Sequence, residues 1–267
     1  MRSNNVLGFI FAATLDDKIP ELASSRTTAS VPIGGKYRII DFDLSNMSNS
    51  GISNVGIVAK SNFQSLMDHV GSGSAYDLSK RRSNLSILPP YDGKAFSSFV
   101  ETIYNMHGYI EHCREEYVLI SQGNVITNID YTDVFDFHSK KKADITLIYK
   151  NHAIPQGYDR PITLDVDNDG KVNQIFVKPG VVDKEVFNHA YGSILIKKDL
   201  LMSEIRNAIS VNQLDVKRLI QSSLGKYSIY AYENKGYCAA ISSINDYFEF
   251  NTVSYTHLRA HETRHDL

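Results

Sequence analysis

The chain has no tryptophan and only 2 cysteines and 7 prolines among its 267 residues. Cys113 and Cys238 stand far apart without CxxC spacing, so neither a disulfide framework nor a thiolate zinc or redox centre is expected. Free thiols of this kind fit a reducing compartment, and a cytoplasmic location is the expectation. Long apolar runs are also missing. Val6 to Ala13 is far short of the roughly 20 residues a membrane helix needs and follows no basic leader, so no membrane partner is expected. Charge of one sign is scarce, with a net charge of -2 and no basic block longer than Lys80-Arg81-Arg82 or Lys140-Lys141-Lys142. Both blocks read as solvated surface, and nothing here forms a footprint for nucleic acid. Glycine is absent from the whole stretch between Gly8 and Gly34.

What is present suits a globular chain of one large or two small domains: 42% hydrophobic and 22% charged residues. Val6 to Ala13, Val55 to Ala59, Tyr117 to Ser121 and Ile145 to Tyr149 read as buried strands of parallel-sheet type. Between them, Phe63-Leu66-Met67-Val70 and Phe99-Val100-Ile103-Tyr104 with Met106, Tyr109 and Ile110 carry the three- and four-residue spacing of helices packed on a sheet. This rhythm predicts an α/β fold, a Rossmann-like mixed, mostly parallel sheet with helices on both faces and a site at the carboxyl ends of the strands. Further on, Thr163 to Val166 and Val172 to Val177 flank Asp167-Asn168-Asp169-Gly170. That tetrapeptide resembles a calcium loop, but no Glu stands at the twelfth position and the flanks are strand-like, so it reads as a hairpin turn.

The most specific motif is Gly34-Gly35-Lys36-Tyr37-Arg38-Ile39-Ile40-Asp41-Phe42-Asp43-Leu44-Ser45-Asn46, followed by Asn49-Ser50-Gly51-Ile52. It resembles the signature of bacterial ADP-glucose pyrophosphorylases, the glucose-1-phosphate adenylyltransferases. The resemblance runs from about Val6 to Asn251. It implies a nucleotidyltransferase-type domain over 1–252 and, in the family, attack of glucose 1-phosphate on the α-phosphate of ATP to give ADP-glucose and pyrophosphate. Such chemistry needs a phosphate cradle, cationic side chains and Mg²⁺ held by carboxylates.

At each of these parts the chain departs from the family. The glycine-rich loop after the first strand is replaced by Ala13-Thr14-Leu15-Asp16-Asp17-Lys18-Ile19, which sets Asp16 and Asp17 where a triphosphate would lie and keeps one charge in Lys18. Gly123-Asn124-Val125 stands where the family has Gly-Asp-His, so Asn124 replaces the catalytic Asp. Gly236-Tyr237-Cys238-Ala239-Ala240 stands for Gly-Tyr-Trp-Arg-Asp, so Ala240 replaces the second metal-binding Asp. Asp130 survives, but the expectation for it is a helix cap ahead of Thr132 to Phe137. On the sugar-phosphate side, Lys178 in Phe176-Val177-Lys178-Pro179 matches the family's substrate lysine. Val177 and Ala190 stand where a sugar-binding Glu and Ser belong. Gly71-Ser72-Gly73 with Tyr76-Asp77-Leu78 is similar to a family loop near nucleotide and effector. Lys36 and Arg38 are candidates for an effector site, or for ion pairs with Asp41 or Asp43.

Together the losses resemble those of the GlgD-type subunit. The resemblance then implies no catalytic residue, no metal and no cofactor bound by this chain, with Mg²⁺ held in a catalytic paralogue that it joins in a hetero-oligomer for glycogen biosynthesis. Lys178 and Lys18 would be its substrate-binding residues, and glucose 1-phosphate or another sugar phosphate a possible effector. Two other readings stay open: an active nucleotidyltransferase that recruits Lys18, Asp16, Asp17 and Lys178 into a rearranged site, and a sugar-phosphate sensor acting without a paralogue. On this resemblance, the family's C-terminal left-handed β-helix domain is expected to be missing. Residues 253–267 are similar to no part of the family and read as a foreign tail; the four-residue spacing of His257, His261 and His265 within it could ligate zinc on a helix but lacks further ligands.

Overall fold

A computed structural model describes residues 3–12, 16, 19–59, 62–79, 83–89, 98–153, 162–177 and 186–252. Thirteen strands are seen among them: β1 (Val6–Phe11), β2 (Pro32–Ile33), β3 (Tyr37–Arg38), β4 (Asn54–Val58), β5 (Asn84–Leu88), β6 (Tyr117–Gln122), β7 (Val125–Thr127), β8 (Ile145–Ala153), β9 (Ile162–Val166), β10 (Val172–Phe176), β11 (Val186–Lys197), β12 (Ile229–Glu233) and β13 (Cys238–Ala240). The helices are α1 (Pro20–Ala23), α2 (Ile39–Asn49), α3 (Gln64–Val70), α4 (Phe99–Asn105), α5 (His107–His112), α6 (Tyr131–Lys141), α7 (Lys198–Ser210) and α8 (Val216–Ser222), with a further helical segment over 244–252.

The main sheet has nine strands. β5, β4, β1 and β6 are parallel, β11 lies antiparallel to β6, and β8 runs antiparallel to β11 and parallel to β12. β11 is long enough to serve two neighbourhoods: 194–197 pair with β6, while His189 and Ala190 pair with β9, with an irregularity between. The expected mixed, mostly parallel α/β architecture is therefore what forms.

Period-two alternation explains how β1 is buried on both sides. Leu7, Phe9 and Phe11 pack toward α4, α5 and α7, whereas Val6 and Ile10 join α2, α3 and α6 on the opposite face. Gly8 falls on the second face because nothing larger fits: a Cβ there would lie 2.6 Å from Met47 Sδ. A smaller third cluster, Val31, Ile33, Ile39, Ile126 and Ile241, seats the 244–252 segment through Tyr247 and Phe250. That segment is also hydrogen-bonded to the signature hairpin, with Asn251 Oδ1 accepting from Gly34 N (3.0 Å) and Tyr247 OH donating to Pro32 O (3.0 Å).

Several expectations shift in detail. The first strand ends at Phe11, two residues short of Ala13, and Ala12 turns instead. The periodic stretch from Phe99 to Ile110 forms two helices broken at Met106, where Asn105 and Gly108, both weak helix formers, flank the break. The hairpin of β9 and β10 is present, and its turn is closed internally: Asp167 Oδ1 accepts from Asp169 N and Lys171 N (both 2.9 Å), while Gly170 takes φ +86. Lys141 Nζ meets Asp169 at 2.5 Å. These carboxylates thus serve a turn and an ion pair. Both cysteines are free, and no described helix is long and apolar enough to cross a membrane. The tail from 253 onward, with its three histidines, lies outside the described residues.

Asp130 is the N-cap of α6, accepting from Thr132 N at 2.8 Å, and that bond holds its carboxyl below the usual carboxylate range. Asp130→Ala is expected to cost about 1 kcal/mol of stability by urea denaturation, with Asp130→Asn recovering most of it.

Candidate functional site

The crevice at the carboxyl ends of β1 and β6 is built around a close crossing. Gly123 N donates to Phe11 O at 2.8 Å, and a Cβ on Gly123 would lie 2.8 Å from that oxygen and 3.0 Å from Ala12 Cα. Only glycine lets the two strand ends meet this closely. Ala29 N then donates to Ala12 O (3.1 Å), which brings the 28–30 turn to the same place.

Past the crossing, β7 pairs antiparallel with β13, with Ala240 opposite Val125. Asn124 and Ile241 complete the ladder reciprocally: Ile241 N donates to Asn124 O (2.8 Å), and Asn124 Nδ2 donates to Ile241 O (3.3 Å). The fold therefore brings together Asn124 and Ala240, the two positions where the resemblance expects metal-binding carboxylates. Neither supplies a carboxylate for a hard divalent cation. The buried Asn124 points its amide nitrogen at a backbone carbonyl, and Ala240 offers a methyl group. Among the described residues, no group of three or more His, Cys, Asp or Glu side chains is placed to hold a metal ion.

The other sequence-derived residues are distributed differently. Lys18 and Lys178 lie outside the described residues, as does Asp17. Asp16 is described, and its Oδ1 accepts from both Thr28 N (2.7 Å) and Thr28 Oγ1 (2.6 Å). It caps the 28–30 turn, a structural use for a charge the sequence set at a phosphate position. Arg38 forms no ion pair with Asp41 or Asp43, contrary to that alternative for it. Its guanidinium donates to Ser65 O (2.7 Å) and Oγ (2.6 Å), and only its backbone N–H reaches Asp41 Oδ2 (2.8 Å). Asp41 Oδ1 instead accepts from Tyr76 OH (2.5 Å) and His69 Nε2 (2.6 Å), which ties α2 to α3 and to the Gly73 loop. Lys36 is exposed and lies 5.3 Å from the Tyr37 ring centroid. The signature hairpin is thus a structural junction that leaves Lys36 as its solvent-facing cation.

A pocket beside β7 and β13 is lined by Thr127, Tyr131, Tyr149, Tyr191, Ser193 and Cys238, among others. Asn234 Nδ2 donates to Thr127 Oγ1 (2.8 Å), and Thr127 Oγ1 donates to Tyr237 O (3.2 Å), so much of its polar rim is satisfied internally. Burial pushes the Cys238 thiol up to about 12, and this sulfur is a neutral, unreactive lining group.

Sequence reasoning missed one cluster altogether. Asp43, Ser121 and Tyr131 meet beneath the 122–124 turn, where Ser121 Oγ donates to Asp43 Oδ1 at 2.7 Å. A signal existed in the helical spacing, since Ile39, Ile40, Asp43, Leu44 and Met47 form one stripe and Asp43 is the polar member of it.

Set beside known proteins, residues 17–249 match the Nucleotidyl transferase family. Over 261 residues the chain is 33% identical to a glucose-1-phosphate adenylyltransferase of Clostridium acetobutylicum, covering 94% of this chain and 67% of that protein. It is 30% identical over 257 residues to a glucose-1-phosphate adenylyltransferase of Bacillus subtilis, covering 92% and 66%. The chain thus spans about two thirds of the length of these relatives. Among solved structures, a Bacillus anthracis protein assigned as a glucose-1-phosphate thymidylyltransferase, in complex with a sucrose, superposes with a TM-score of 0.75 at 12% identity, covering 94% of this chain and 95% of the other. At that identity the likeness is one of fold.

Two glycines, one beside the site and one in α5, should respond oppositely to alanine. A Cβ on Gly236 would fall 2.1 Å from the Asn128 carbonyl oxygen, whereas one on Gly108, inside α5, meets nothing within 4 Å. Gly236→Ala is expected to lose about 1–3 kcal/mol through overpacking. Gly108→Ala should gain about 0.5–1 kcal/mol, both read from denaturant midpoints.

Proposed function

The chain belongs to the nucleotidyl transferase family and is homologous to glucose-1-phosphate adenylyltransferases, and from this premise we propose that it is the regulatory, catalytically deficient subunit of such an enzyme. The observation that carries the reading is the pairing of Asn124 with Ile241 next to Ala240: one amide already hydrogen-bonded to backbone and one methyl group at the place where metal-holding carboxylates would be needed. Transfer of an adenylyl group demands neutralisation of phosphate charge, and a site without either acid has lost most of its attraction for Mg²⁺. The ion and the chemistry then belong to a catalytic paralogue, with which this chain forms a hetero-oligomer serving glycogen synthesis in the cytoplasm.

A subunit of this kind acts by contact. It raises its partner's activity if it binds the partner's competent conformation more tightly than the incompetent one, and an intact fold suffices for that. Lys178 and Lys18 are the residues we assign to binding a sugar phosphate, and the exposed Lys36 to an effector anion. Arg38, whose Nη1 is bonded to Ser65, is the second residue we assign to that anion. The alternative of a rearranged active site is disfavoured by Asp16, whose carboxylate is engaged by Thr28.

The full-length protein, assayed alone, is expected to make ADP-glucose at least about a hundredfold more slowly than the catalytic paralogue, in line with loss of preorganised charge stabilisation. Mixed with the paralogue, it should raise kcat/KM or sharpen the response to sugar phosphates. Robust ADP-glucose synthesis by this subunit alone overturns the proposal. Calorimetry gives a second check: Asn124→Asp combined with Ala240→Asp should create Mg²⁺ binding that neither the parent protein nor either single variant shows.

A further inference from the structure

The buried face of α2 carries two polar residues, Asn46, whose Nδ2 donates to Thr127 O (2.8 Å), and Asp43, which is carried into the seam between α2 and β6. Asp43 is fully buried, with Oδ1 bound to Ser121 Oγ and Oδ2 without a hydrogen-bond partner among the described residues. The Tyr131 hydroxyl, from the first residue of α6, is equally buried, faces Asp43 and Ser121, and makes no hydrogen bond of good geometry among the described residues. The titratable groups that face Asp43 are this phenol and the Cys238 thiol of β13, both pushed upward by burial and both neutral at ordinary pH. From the 28–30 turn and β7, which also pack on α2, come the hydroxyls of Thr28, Ser30 and Thr127. Asp41, nearby on the same helix, is held by His69 and Tyr76. No cation acts on Asp43 among the described residues.

A carboxylate in such surroundings carries an uncompensated charge, whereas a carboxylic acid fits them. Ser121 leads directly into Gln122, Gly123 and Asn124, so the strand that holds Asp43 also runs into the close crossing of β1 and β6. We propose that Asp43, Ser121 and Tyr131 form a proton-operated latch beneath the 122–124 turn, shut while the Asp43 carboxyl holds its proton and loosened when the proton leaves. The latch rests on the seam's geometry and holds whether or not the chain is a regulatory subunit.

Burial raises the Asp43 carboxyl from the ordinary carboxylate range to about 7, the Ser121 bond opposing this only in part. Opening the seam to water returns the carboxyl to its ordinary value and releases the proton. Opening is therefore favoured about tenfold per pH unit from about pH 4 to about pH 7, and no further above that. A melting curve of the whole chain would blur this, because buried His138 titrates with the opposite sign. Its pKa is lowered to about 4, first by burial and then by Lys197, so its contribution is lost as pH falls from about 6.5 toward 4.

A local readout separates the two. Amide hydrogen exchange of the full chain, corrected for intrinsic rates, is measured between pH 5 and 8. Peptides covering 39–47 and 119–125 should show an opening constant that climbs about tenfold per unit and levels near pH 7, while the β9 and β10 hairpin does not follow. Asp43→Asn should make the same peptides insensitive to pH. The latch is refuted if the parent protein shows no pH dependence there, or if the asparagine variant keeps it. Should that variant not fold, carbon-13 NMR of the Asp43 carboxyl in the parent protein decides: a midpoint near 7 supports the latch, and one in the ordinary carboxylate range overturns it.

Discussion

The 2.8 Å hydrogen bond from Gly123 N to Phe11 O fixes how closely the ends of β1 and β6 approach, and the architecture of the crevice depends on it. Because the bond tolerates no side chain at 123, β7 must leave β6 at that point and finds its partner in β13. Asn124 and Ala240 become neighbours as a consequence of strand pairing, whatever their chemistry. Main-chain pairing thus makes two distant segments meet, and the side chains that meet there are an amide and a methyl group. Positioning and reactivity are separable here because positioning is carried by main-chain bonds.

Much of the fold was legible in the sequence because parallel strands buried on both faces read as near-continuous apolar runs, as Val6–Phe11 and the 117–120 stretch of β6 do. The β9 and β10 hairpin could be read from its turn chemistry, and the α6 cap from Asp130. Less visible was β11, whose change of neighbours midway breaks its pattern at Tyr191-Gly192-Ser193, and so was the helical character of the signature itself, where a motif drew attention away from periodicity. At the site, Asn124 and Ala240 were identifiable by resemblance alone; neither an asparagine before a strand nor an alanine within one carries a chemical signal. Arg38 and Asp16 could not be placed from sequence, because which hydroxyl or backbone amide satisfies a charged group is decided by tertiary packing.

Buried ionisable groups in this domain pull against each other. Asp43 is most comfortable as an acid and His138 as a neutral imidazole, and each lies in a seam with α2 or α6. Their linked protonation preferences offset over the mildly acidic range, leaving global stability a poor guide to the state of either seam. Local structure near the crevice can consequently respond to conditions that leave the rest of the molecule unchanged.

The contact between Asn251 and Gly34 joins residues 217 positions apart. A ribosome delivers these two partners many seconds from one another, so the hairpin at 32–38 emerges long before the helix that completes its packing exists. During that interval Ile33 and Ile39 lack part of their cover, and the nascent chain carries a sticky surface that a chaperone or an already finished subunit would be well placed to shield. The order of synthesis, as much as the final contacts, then governs how efficiently this domain matures.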